Sequence, residues 1–152
     1  MKRKAIINCI KDFIKDNCPY LDELAEIKVD YLDVESKIKN CWSIEQIDTM
    51  QPIIKKNVLG TKTTRQVEFI LATRTFFNTV DDTINVENLA VFEEIQEWFY
   101  QCTKKHDLPI LNDNELSIEI SCGNGYLFGT DKTNTIARYE CKCKLIYEKK
   151  EV

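Results

Sequence analysis

Three stretches of this chain alternate apolar and polar side chains residue by residue, and that alternation restricts the fold more than any other feature. Val67, Phe69 and Leu71 point one way and Glu68, Ile70 and Ala72 the other, continuing toward Thr75, Phe76 and Phe77. Leu116, Ile118, Ile120 and Cys122 alternate with Ser117, Glu119 and Ser121. Cys141, Cys143, Leu145 and Tyr147 alternate with Glu140, Lys142 and Lys144, Ile146 being the exception. A period of two with one wet face marks strands of an antiparallel sheet packed on one side.

Two other segments follow the helical period instead. Ile6, Ile10, Phe13 and Ile14 share a face over residues 3–17, and Cys18-Pro19 stops the helix because a residue before proline avoids the helical region. Asp12 and Asp16 on its polar face favour docking on the protein's own core over a membrane surface. Residues 85–105 predict a long helix with Asn85 as N-cap and an apolar face of Val91, Ile95, Trp98, Phe99 and Cys102. Lys104 and Lys105 sit at its negative end, and Asp107-Leu108-Pro109 closes it. Between the helices, residues 20–40 are acidic and irregular, with an extended stretch at 27–32. A weak strand follows at 42–47, then a short apolar run at 53–59 and a hairpin loop at Gly60-Thr61-Lys62-Thr63. Cys122-Gly123-Asn124-Gly125 offers Asn-Gly turn chemistry. Helices that do not alternate with strands predict an α+β fold. The expected architecture is a mainly antiparallel sheet of about four to five strands, packed against an N-terminal helix and one long central helix, with residues 1–152 as a single domain.

Hydrophobic residues at 43% and charged residues at 30% are ordinary for a globular chain, and no apolar run approaches the length needed to cross a bilayer. The formal net charge of −4 gives no basic excess for gripping nucleic acid. Charge is unevenly placed: residues 81–97 hold six acids and no base, while Lys142 and Lys144 belong to a basic region near the C-terminus. Such runs read first as solvated faces, and the asymmetry permits, without showing, that oppositely charged surfaces of neighbouring subunits meet.

Seven cysteines without a Cys-x-x-Cys pair read as reduced thiols, buried as small hydrophobes. Cys141 and Cys143 share a strand face on which Cys122 could join them, a set that would suit zinc. Both strands continue their apolar faces through these positions, so the sequence favours packing, with no metal and no cofactor. Cys102 lies one helical turn from His106, the single histidine. Its place on the apolar face and the lack of a nucleophile motif argue against catalysis, and no catalytic residue is assigned.

Asp30-Tyr31-Leu32, Trp42-Ser43-Ile44-Glu45, Pro52-Ile53-Ile54-Lys55, Arg65-Gln66-Val67-Glu68-Phe69, Trp98-Phe99, Leu108-Pro109, Gly125-Tyr126-Leu127-Phe128 and Ala137-Arg138-Tyr139 follow one another in order. Together they resemble the bacteriophage minor capsid protein family of phages and prophages of Gram-positive bacteria, over most of the chain. The acidic 81–97 segment and the seven cysteines depart from that pattern. The family is similar to phage tail terminators. The resemblance implies a non-enzymatic subunit of a ring, six-membered in such proteins, in the tail and neck region of a virion assembled in the host cytoplasm. Such a ring ends tube polymerisation, docks the neck, meets the sheath in a contractile tail, and lets DNA pass without specific binding. A head-side connector or stopper is the alternative, and a small cytosolic thiol or metal enzyme the more distant one. Candidate subunit, tube or neck contacts are the 60–63 loop, Glu93, Glu94 and Glu97, the turn at Asn124 and Tyr126, and Lys142 with Lys144.

Overall fold

The alternating stretches become strands of one sheet. The computed structural model describes residues 3–21, 26–30, 32 and 41–151. Its elements run α1 (Ile6–Asn17), β1 (Glu26–Val29), β2 (Cys41–Gln46), β3 (Ile53–Lys56), β4 (Lys62–Phe76), α2 (Thr83–Lys105), β5 (Glu115–Cys122), β6 (Tyr126–Thr130) and β7 (Ile136–Lys150). The expectation of four to five strands is thus corrected. Among the described residues there are seven strands in a single sheet beside two helices, and the sheet is mixed because β1 runs parallel to β2. Of the acidic 20–40 segment, 22–25, 31 and 33–40 lie outside the described residues, as does Tyr31 of the expected 27–32 stretch.

The strand path is β1-β2-β4-β7-β5, with β3 also on β4 and β6 also on β7. Its spine is the antiparallel pair β4–β7, in register from Lys62 opposite Lys150 to Phe76 opposite Ile136. Each strand has 15 residues, on the order of 45 Å at 3.3 Å per residue. At the Lys62 end the neighbours are β3 and β5; at the Phe76 end they are β2 and β6.

Alternation decides which face is dry. Trp42, Ile44, Phe69, Leu71, Cys141, Cys143, Leu145 and Tyr147 share one face and belong to the buried cluster. Both helices supply the other half of that cluster. From α1 come Ile6, Ile7, Ile10, Phe13 and Ile14, so this helix does dock on the protein's own core. From α2 come Phe92, Ile95, Phe99 and Cys102. The buried face of α2 thus holds the expected Ile95, Phe99 and Cys102 and begins at Phe92, while Val91, expected on that face, is half-buried. The helices meet where Phe13 stacks on Trp98, ring centroids 5.4 Å apart. Each such buried apolar side chain contributes about 1.5–3 kcal/mol.

The start of α2 differs from expectation, while its end at Lys105 lies where the sequence puts it. Asn85 does not cap it; the N-cap is Asp82, and the Asn85 side chain reaches back to Asn78, accepting from its N–H and donating to its C=O. Asp81 instead accepts from the N–H and hydroxyl of Thr83. At the other end His106 takes the left-handed conformation, φ 57°. Its N–H donates to Thr103 and that of Asp107 to Cys102, the paired bonds of a Schellman cap usually closed by glycine.

Candidate functional site

The hairpin between β3 and β4 is organised by Asn57. Its backbone N–H donates to Lys62, its side-chain carbonyl accepts from the Lys62 N–H, and its amide donates to Thr61 Oγ1 at 2.9 Å. Gly60 turns the chain at φ 67°, in the left-handed region that favours glycine. Of the four expected contact residues here, Gly60 and Thr61 are exposed, whereas Thr63 is buried and bonded to Lys149 and Arg65, and Lys62 pairs with Glu148 at 2.8 Å. Those two hold strands together. The residues that reach outward are Val58, fully exposed, and Leu59, 83% exposed, with Met50 on the loop before β3 at 97%. They were missed because an apolar run reads as buried strand until the turn position is known.

Toward the Phe76 end, Phe76, Val80 on the loop before α2, and Phe128 on β6 are exposed apolar side chains. Arg138 anchors this end. Its guanidinium lies 2.9 Å from both carboxylate oxygens of Glu45 and 5.3 Å from the Phe128 ring centroid. Burial would raise the Glu45 carboxyl, but the hydrogen bonds from Arg138 and Ser43 and the guanidinium charge outweigh it and leave the group below its ordinary value. Tyr126 is half engaged here: burial and its hydrogen bond to Glu140 push the phenol up. Asn124 is exposed as expected, but the 123–125 turn holds no residue at positive φ. Gly125 is needed for a different reason, since a Cβ there would stand 2.4 Å from Phe92.

Glu93, Glu94 and Glu97 all lie on the solvent side of α2. Lys142 and Lys144 alternate with the buried Cys141, Cys143 and Leu145, so they project from the sheet face that the helices do not cover. The acidic and basic groups therefore point apart.

The thiols weighed from sequence separate into two cases. Cys102 is buried on α2, and burial pushes its thiol up to about 11, which disfavours the nucleophilic thiolate; His106, four residues on, serves as a backbone cap and is exposed. Cys122, Cys141 and Cys143 do come together. The β5–β7 register sets Cys122 opposite Cys143, Cys141 Sγ is 3.5 Å from Cys143 Sγ, and all three sulfurs lie within 4.8 Å. Hydrogen bonds from Cys141 and Cys143 lower the Cys122 thiol to about 4, while Cys141 is raised by that same bond and Cys143 by burial. Cys122 also borders a groove of about 490 Å³ between α2 and β5, lined by Gln96, Tyr100, Thr103 and Lys104.

Among the described residues no helix is long and apolar enough to cross a membrane. No protein-family model matches the chain, and no curated protein matches its sequence.

Proposed function

We propose that this chain is a structural subunit of a phage tail, a terminator that closes into a ring on the end of the tail tube, stops its growth and offers a docking surface to the neck. The reading rests on the ordered motifs that resemble the minor capsid family. One structural feature supports it: the β4–β7 ribbon carries exposed apolar side chains at both ends, Val58 and Leu59 in the hairpin that leads into its Lys62 end, and Phe76 with Val80 on the following loop at the other. Two unlike patches on one subunit are what a head-to-tail contact requires, and head-to-tail contacts close into rings when the rotation per subunit divides the circle. The separation of Glu93, Glu94 and Glu97 from Lys142 and Lys144 adds electrostatic complementarity between copies.

The test is the mass of the purified protein by light scattering over a concentration series, with negative-stain images of the same sample. Closed rings, six-membered if the resemblance carries that far, and capped tubes on adding tube protein are expected. A monomer that leaves tube protein to polymerise unchecked would overturn the reading. Binding to a portal-side adaptor instead of the tube would move the protein to the head side of the joint.

A further inference from the structure

Cys141 and Cys143 are almost completely buried, held two residues apart on β7, and Cys122 reaches them from the adjacent strand at its groove-bordering end. We propose that Cys122, Cys141 and Cys143 bind one Zn²⁺ ion through their three Sγ atoms, leaving the fourth coordination position open toward the groove between α2 and β5.

Three sulfurs around one ion at about 2.3 Å stand roughly 3.8–4.0 Å apart. Here the Cys141–Cys143 separation is 3.5 Å and no pair exceeds 4.8 Å, so shifts of at most about 1 Å, within reach of side-chain rotation, close the site. All three ligands lie on paired strands and not on loops, so the chain needs no ordering to assemble them. The donor set is purely thiolate, which selects soft ions and disfavours Mg²⁺ or Ca²⁺. Charge then separates the soft ions. Three thiolates leave a net −1 around Zn²⁺ but −2 around Cu⁺, and a site with two almost fully buried ligands favours the smaller residual charge. The groove supplies the way in, because Cys122 alone of the three borders it. On binding, each cysteine that is still protonated gives its proton to solvent as its S–Zn bond forms, so ion binding releases the protons that the thiols carry. The role is a staple: it ties the end of β5 to the middle of β7, and it stands apart from whether the subunit forms a ring.

The full-length chain, purified with reductant and freed of metal, is titrated with Zn²⁺ against a colorimetric chelator and separately with Co²⁺. Expected are one ion per chain, sulfur-to-cobalt charge-transfer absorption that Zn²⁺ abolishes, and a higher melting temperature with zinc. Cys122→Ser, at a half-exposed strand end, should keep the far-ultraviolet spectrum yet lose at least about tenfold in affinity. Cys18→Ser, outside the cluster, should bind as the parent does. Equal zinc affinity in the parent and Cys122→Ser would overturn the proposal. So would a Cys122–Cys143 disulfide in protein isolated from a reducing cytosol, or tight Cu⁺ binding with no retained Zn²⁺.

Discussion

At Gly125 an added methyl group would stand 2.4 Å from Cβ and Cγ of Phe92, a buried side chain on α2 with no room to retreat. Gly125→Ala should therefore cost about 1–3 kcal/mol through forced repacking. A melting curve superimposable on the parent's would show that the turn can move away. His106 poses the opposite case. A histidine in the left-handed region carries a steric cost that glycine lacks, so His106→Gly should be neutral to stabilising, while His106→Val should cost about 1–2 kcal/mol. A thermal melt of both variants separates this capping role from any need for an imidazole. Glu45 gives the pH dependence. Its carboxyl titrates below the 4.5 of an unperturbed glutamate, so the native state holds the proton less tightly than the unfolded chain. The Arg138–Glu45 pair accordingly contributes its full stability above pH 4.5 and loses it as pH falls through the lower native value. In urea titrations the stability gap between the parent and Glu45→Gln should be widest near neutrality and close below pH 4.5.

Helix α2 joins the sheet through four buried side chains, and Phe99, wholly inaccessible, sits among Trp98 and the sheet residues. Phe99→Ala should cost about 3–5 kcal/mol; a loss under 1 kcal/mol by urea denaturation would mean that α2 rests on the sheet without anchoring it. Both helices are legible because each hides one stripe, and on α2 that stripe keeps the expected Ile95, Phe99 and Cys102 and adds Phe92, with Val91 and Trp98 half-buried beside it. The long strands were legible only in their middles. At Lys62–Gln66 and Glu148–Lys150 the side chains are polar, and pairing there rests on the backbone ladder. β6 was invisible for a related reason. Most of it is exposed, and Gly129 interrupts any alternation. β1 pairs in parallel with β2, a choice that depends on the path of the connection and leaves no local signature. The thiol cluster needed a register, Cys122 against Cys143, that neither strand announces on its own.

For the whole molecule, the proposed ring puts its contacts at the exposed tips, and the following outcomes are those expected of it. Val58→Asp with Leu59→Asp removes no buried contact, so monomer stability should change by less than about 0.5 kcal/mol, while assembled mass measured by light scattering should fall to that of a monomer. Rings that survive would place the contact elsewhere. If the acidic face of α2 meets Lys142 and Lys144 of a neighbour, raising salt from 0.1 M to 1 M shortens the screening length from about 10 Å to 3 Å and should loosen the assembly. The central position of β7 has a further consequence, for synthesis. Its partner β4 ends at Phe76 and waits while about sixty residues are translated before Ile136 appears. Until β7 clears the ribosome, β4 has one bare edge and β5 and β6 have no strand to join. Nascent chains halted anywhere before that point are unable to complete the sheet, so the pairing that organises β4, β5 and β6 is a late event that awaits translation through β7.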